Sequence, residues 1–226
     1  MTLAQPVAAR RIAVLGAEST GKSTLANDLA AHLRGRGVVA VAVPEVLRDW
    51  CLRAGRMPRP HEQLAIAQEQ EARVAAAAAA CVIADTTALM VAIYAGMLFA
   101  DGELYRFAME RQRTYDATLV TGLDMAWTAD GLQRDAAHPR EEVDALVRTH
   151  LQRAGVPFQV VYGQGPQRLQ AALQALASTG VLPAGARDQE ETKEGDAARP
   201  WVWICDKCSD PACEHRLFKR LRDEGT

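Results

Sequence analysis

Short apolar runs alternate along this chain with stretches of helical apolar spacing. Ile12, Ala13, Val14 and Leu15 form one such run, preceded by Arg10 and Arg11 and stopped by Gly16. A short apolar run bounded by glycine suits a strand covered on both faces of a parallel sheet. Past Lys22 the period changes: Leu25, Leu29 and Leu33 recur at helical spacing, with Ala26 and Ala30 between them. The same alternation continues down the chain. Residues 38–43 (VVAVAV) predict a second strand ending at Pro44-Glu45, followed by a helix over 46–54 and a loop over 56–60. A long helix is expected from His61 to about Ala80; its alanine-rich end reflects good helix formers rather than low complexity. Within it, the stretch from Glu62 to Arg73, with Gln63, Gln68, Glu69, Gln70 and Glu71, reads as a solvated helix face. Residues 81–84 give a third strand ending at Asp85, with helices expected over 88–100 and 104–113. Residues 117–121 and 158–162 predict the fourth and fifth strands, and 166–177 a closing helix. Strands alternating with helices imply an α/β fold, a three-layer sandwich with a parallel five-stranded sheet and helices on both faces. No internal repeat is present.

Composition narrows the class. The 226 residues, 49% of them apolar, suffice for one α/β domain with a core plus a tail. A net charge of −2 carries no basic footprint for nucleic acid. No stretch has the length and apolarity of a membrane span, and the first residues lack the pattern of a signal peptide. A cytoplasmic location is therefore expected, with the five cysteines reduced.

The first strand and first helix are joined by Gly16-Ala-Glu-Ser-Thr-Gly-Lys-Ser-Thr24, a match to G-x-x-x-x-G-K-[ST] in its strand–loop–helix context. This is the signature of a P-loop NTPase. Gly16 and Gly21 permit backbone angles that a Cβ forbids, so the loop through Glu18, Ser19 and Thr20 can turn its N–H groups onto an anion. The following helix adds the positive end of its dipole. Lys22 supplies charge to the β- and γ-phosphates, and the Ser23 hydroxyl, next to Thr24, is placed for Mg²⁺. Ligands on parallel sheets bind at the carboxyl ends of the strands, so Gly16, Glu45 and Asp85 should converge on one crevice.

Taken together, GAESTGKSTLA, Pro44-Glu45 with Arg48, Ile83-Ala-Asp85-Thr-Thr87, and Trp127-Thr-Ala-Asp130-Gly131-Leu resemble the nicotinamide riboside kinase domain of NadR-type proteins. That group belongs to the P-loop kinases, and the resemblance covers about residues 10–178. It implies transfer of the γ-phosphate of ATP, with Mg²⁺, to the 5′-hydroxyl of a nucleoside such as nicotinamide riboside. NadR proteins often add a nucleotidyltransferase domain with an H-x-G-H motif; none occurs here and the chain begins close to the P-loop, so a bifunctional enzyme is not expected.

Phosphoryl transfer needs one carboxylate to orient the acceptor hydroxyl or take its proton. Glu45 and Asp85 are the candidates, and the sequence does not choose between them. Asp85 also fits a Mg²⁺-side acid, a partner for ribose hydroxyls, or the N-cap of the next helix. Arg48 either pairs with Glu45 or faces the acceptor. Residues 124–140 hold few apolar side chains and sit where P-loop kinases carry a lid. There, Arg134 and Arg140 are candidates for screening phosphate charge, and Trp127 for stacking on a base; a solvated loop is the alternative. Thr121-Gly-Leu-Asp124 lacks the Asn and Lys of a guanine-reading N-K-x-D, which favours adenine. Trp50 and Tyr94 are expected in the core or the acceptor-pocket wall.

From residue 180 the composition shifts. The division expected is a kinase domain over 1–179, a linker over 180–200 and a tail over 201–226. The tail holds Cys205, Cys208, Cys213 and His215, a Cys₃His set suited to tetrahedral Zn²⁺; free thiols or a redox pair are the alternatives. A rival to the kinase is a regulatory nucleotide switch whose Cys/His tail contacts a partner. Oligomeric state is not legible.

Overall fold

The computed structural model describes residues 9–98, 102–126 and 140–182, all within one compact unit. The elements run β1 (Arg10–Leu15), α1 (Lys22–Gly35), β2 (Ala40–Val43), α2 (Val46–Ala54), α3 (Pro60–Ala76), β3 (Cys81–Asp85), α4 (Ala88–Leu98), α5 (Gly102–Gln112), β4 (Ala117–Thr121), α6 (Arg140–Arg153), β5 (Gln159–Val161) and α7 (Pro166–Ser178). The strands form a parallel sheet in the order β2-β3-β1-β4-β5.

Alternate side chains of the central strands feed two cores, which makes three layers. Ile12 and Val14 of β1, with Cys81 and Ile83 of β3, pack under Leu25, Leu29 and Leu33 of α1 and Leu173 and Leu176 of α7. Ala13, Leu15, Val82 and Ala84 point to the opposite face, against α2, α3, α4 and α6. This two-sided burial is why the strands read as continuous apolar runs. The start of α4, from Ala88 to Ile93, is buried all round, as expected of a helix apolar on every side.

The register places the candidate chemistry. Val14 pairs with Asp85, and Leu15 with Val120. Val43 pairs with Ala84, so Glu45 leaves β2 level with the end of β3. The carboxyl ends of β1, β2 and β3 therefore face one crevice, at the point where strand order reverses.

Three features differ from the sequence pattern. Helix α3 stops at Ala76, not Ala80; Ala77 turns extended because Ala80 and Cys81 are held by Arg10 and Val39 where β3 enters the sheet between β1 and β2. Pairing with the sheet outweighs alanine's helical propensity. Helix α6 was not anticipated, although Val143, Val147 and Leu151 recur every fourth residue and all are buried. The third is a correction. The supposed solvated face of α3 is partly interior: Gln63, Gln70 and Glu71 are buried, while Glu62 and Glu69 stay outside with Arg56 and Arg73. Gln70 and Glu71 reach backbone groups that other elements leave unpaired, and those bonds are what draw a polar face inward.

Candidate functional site

The loop after β1 is built by strain and side-chain pinning. Gly16 has φ +145°, and a Cβ there would lie 2.1 Å from Thr121 Oγ1. The Thr20 hydroxyl sits 2.7 Å from the Ala17 carbonyl and 2.6 Å from Thr121 Oγ1, and Thr121 in turn lies 3.1 Å from the Leu15 carbonyl. The end of β4 thus fixes the loop. Ser19 and Gly21 both adopt left-handed angles, φ 54° and 76°. Gly21 is the N-cap of α1, and no side chain caps that terminus. Its unpaired N–H groups and the helix dipole are left to meet an anion.

Lys22 is buried and donates to the Ala17 carbonyl at 2.8 Å. Burial pulls its pKa below the ordinary value, opposed by the negative charges of Glu45, Asp85 and Glu18. A cation held mainly by carbonyl and distant carboxylates gains strongly from an incoming phosphate. Beside it, a cavity of about 250 Å³ is lined by Lys22, Ser23, Thr24, Arg48, Met125 and Ala126. The Ser23 hydroxyl accepts from Arg48 Nη1 at 3.0 Å, and Arg48 Nη2 pairs with Glu45 at 2.9 Å. Arg48 therefore links the phosphate loop to the acid at the end of β2.

Asp85 is buried, and its Oδ1 has no hydrogen-bond partner among the described residues. The capping role weighed for it falls elsewhere: Thr87 Oγ1 accepts from Leu89 N at 3.2 Å, and Glu71 Oε1 accepts from Ala88 N at 2.9 Å. Thr87 Oγ1 also donates to Gln112 Oε1 at 2.7 Å, and Gln112 Nε2 donates to Thr118 at 3.0 Å. A buried carboxylate oxygen left unpaired is costly in a resting protein. The Asp85 charge acts on Lys22, and an unpaired carboxylate oxygen is of the type a hard cation takes as ligand.

Arg168, from α7, is a residue at the loop that the sequence did not single out. It is 3% exposed. Its Nη1 donates to the Thr20 carbonyl of the loop and lies 3.1 Å from Met125 Sδ, while Nη2 pairs with Asp124 at 2.5 Å. Asp124 also accepts from Gly163 N at 2.6 Å. Burial lowers the Arg168 pKa, offset by the Asp124 charge. The pair joins the loops after β4 and β5 to the underside of the phosphate loop, around a second, smaller cavity bounded by Gly21, Thr24, Asp28, Met125 and Gly165. Asp124 is therefore engaged with Arg168 and the Gly163 N–H. No local motif marks Arg168, which stands in an ordinary amphipathic helix.

Arg140 begins α6 and donates to the Met125 carbonyl at 2.9 Å. That bond joins the start of α6 to the loop after β4. Trp127, Arg134 and the set Cys205, Cys208, Cys213 and His215 lie outside the described residues. Trp50 is half-buried against the core with Arg56 stacked 4.9 Å over its ring, and Tyr94 packs on the same core. Among the described residues no group of three or more His, Cys, Asp or Glu forms a metal-binding cluster, and no helix is long and apolar enough to cross a membrane.

Comparison with known proteins agrees with this architecture. A family model described as an AAA domain matches residues 11–168. No curated protein matches the sequence. Among solved structures, NadR protein in complex with NR is similar at TM-score 0.61 and 18% identity, covering 76% of this chain and 50% of that one. NadR protein in complex with NAD and AMP-PNP is similar at TM-score 0.60 and 16% identity, over 77% and 50% of the two chains. Thymidylate kinase from Ehrlichia chaffeensis is similar at TM-score 0.53 and 14% identity, over 75% and 98%. The chain spans about half the length of the NadR chains it matches. At these identities the likeness is one of fold alone.

Proposed function

The chain belongs to the AAA domain family, and from that premise we propose that it is an ATP-dependent small-molecule kinase acting on a nucleoside 5′-hydroxyl, with nicotinamide riboside the favoured acceptor. One observation carries the proposal: the buried Lys22 lies within the field of two strand-end carboxylates, Glu45 and Asp85, beside an uncapped helix N-terminus. That combination supports reading the loop as an anion site near acids of the kind an acceptor hydroxyl needs. The resemblance of the motifs to the NadR kinase domain, and a similar structure solved with NR, support the choice of acceptor.

In this mechanism the loop N–H groups and Lys22 hold the terminal phosphates. Ser23, with Asp85 as the neighbouring acid, would hold Mg²⁺. When bound, that ion screens the charge that builds on the transferring group. Glu45 or Asp85 orients the acceptor hydroxyl and takes its proton. Arg48, which donates to Ser23, would release that hydroxyl to the ion and keep its pair with Glu45. Residues 124–140, anchored at Met125 by Arg140 and Arg168, act as the lid that excludes water from the transfer; Arg134 and Trp127 belong to that segment. The kinase body is 1–179.

The test is incubation with MgATP and a nucleoside panel that includes nicotinamide riboside, with product read by mass spectrometry. A phosphorylated nucleoside formed stoichiometrically with ADP is expected. Tight binding of ATP with no acceptor turnover would refute the kinase and favour a nucleotide switch. Comparing Glu45→Gln with Asp85→Asn then assigns the base: the variant that loses turnover while keeping its metal requirement carries that role.

A further inference from the structure

Two helices start at the crevice, and each begins directly beyond a candidate acid. Helix α2 opens at Val46 with Glu45 as its N-cap, and α4 opens at Ala88, three residues past Asp85. The first N–H groups of a helix have no partner inside it, and acidic side chains nearby are the usual ones to accept from them. Here neither acid is used that way; Glu45 makes no side-chain cap. The orphan donors are met instead by adjacent residues of α3. Gln70 Oε1 accepts from Val46 N at 2.8 Å, and Gln70 Nε2 lies 3.4 Å from the Pro44 carbonyl. Gln70 thus grips the backbone on both sides of Glu45. Glu71 Oε1 accepts from Ala88 N at 2.9 Å, and its Oε2 accepts from the Tyr115 hydroxyl at 3.1 Å. Both side chains are buried, at 1% and 9% exposure.

We propose that Gln70 and Glu71 are positioning residues that cap α2 and α4 from outside, so that Glu45, in its pair with Arg48, and Asp85 are held at the crevice without serving as caps themselves. The proposal rests on the reading that one of those acids serves the acceptor hydroxyl. The arrangement is economical in sequence: one step along α3 turns consecutive side chains toward two strand ends that lie side by side in the sheet. Val43 and Ala84 are paired neighbours in β2 and β3, so a single helix crossing above them reaches both. Gln70 holds the end of β2 by two bonds, and Glu71 holds the first turn after β3. The phosphate loop is fixed separately, by Thr20, Thr121 and Arg168.

This division of labour separates positioning from mere packing. A residue that only stabilises the fold affects the fraction folded; one that aims an acid affects turnover of the folded enzyme. Gln70→Met keeps volume and burial but removes both bonds. It is expected to lower kcat about tenfold to a hundredfold, the effect of an acid displaced by a fraction of an ångström to an ångström. Affinity for AMP-PNP, measured by calorimetry with Mg²⁺, should stay within about twofold. Glu71→Met should behave likewise, whereas Glu71→Gln keeps an oxygen for Ala88 N and should retain kcat within about twofold. Gln63→Met is the control. Gln63 is buried on the same helix at 3% exposure, with its Oε1 unpaired among the described residues, and its loss should leave kcat of the folded protein unchanged.

The measurements use the full chain, MgATP and the acceptor that the wild type phosphorylates fastest, well below the melting temperature of each variant. Wild-type kcat in folded Gln70→Met overturns the proposal. So does an equal fall in Gln63→Met, which would make the effect one of general packing. Absence of phosphorylated product from the wild type with every acceptor would instead remove the kinase assignment beneath it.

Discussion

Replacing Arg168 by Met removes the cation that joins three loops while keeping most of its apolar stem. The side chain is 4% exposed and its partner Asp124 is 30% exposed. Removing one member of a buried pair costs about 3–5 kcal/mol, because the other charge is stranded. Here Asp124 retains water contact and the Gly163 N–H at 2.6 Å. The Thr20 carbonyl, in contrast, loses its donor. The expected loss is about 2–3 kcal/mol, a fall in Tm of roughly 4–12 °C for a cooperative unit of this size. Nucleotide affinity should drop as well, by about tenfold, since the loop carbonyl that Arg168 holds lies one residue before Gly21. Arg168→Lys should recover less than half of either effect, because an ammonium cannot serve Thr20 and Asp124 with the geometry of a planar fork. Urea unfolding gives the first quantity and calorimetry with MgATP the second. A loss below about 0.5 kcal/mol with unchanged nucleotide affinity would refute the claim that Arg168 supports the phosphate loop.

Three further outcomes follow from the same contacts. Gly16→Ala should destabilise the protein by at least about 2 kcal/mol, since its Cβ would meet Thr121 Oγ1 at 2.1 Å; adding Thr121→Ala should restore only part, because the positive φ remains, and full restoration would refute the backbone argument. Lys22→Met should cut turnover by at least about a hundredfold while leaving thermal stability equal or higher, because a buried cation with a lowered pKa costs the empty protein; undiminished turnover would contradict the phosphate site. The third concerns pH. Burial holds the Glu71 carboxyl above its ordinary value of 4.5, opposed by the bonds from Ala88 and Tyr115. The folded protein binds that proton more tightly than the unfolded chain does. Its contribution to stability is therefore greatest at low pH and declines as pH rises from about 4.5 through the raised value. Glu71→Gln should flatten this part of the urea-midpoint profile; an unchanged slope would show that Glu71 does not titrate there.

The chain's local pattern determined a good deal. Each strand that appeared as an apolar run is a strand, because a sheet covered on both faces demands apolar residues at consecutive positions and little else in the sequence does. The loop at 16–24 was legible for a related reason: glycine where φ is positive, lysine and hydroxyl at fixed offsets are all local requirements of gripping a phosphate. Helix α6 was missed, although Val143, Val147 and Leu151 recur every fourth residue.

What the pattern left undecided was which polar residues go inside. Gln70 and Glu71 look like any solvated stretch of α3, and Arg168 looks like an exposed arginine of α7. Their burial is decided by backbone donors and acceptors of α2, α4 and the phosphate loop, up to 148 residues away. A polar side chain enters the interior only when a distant group pays its desolvation with a hydrogen bond, and the identity of that group exists only once the strands have taken the order β2-β3-β1-β4-β5. The glycine–lysine loop and the layers were written in local sequence; tertiary structure alone supplied the braces that hold the strand-end acids and that loop in place.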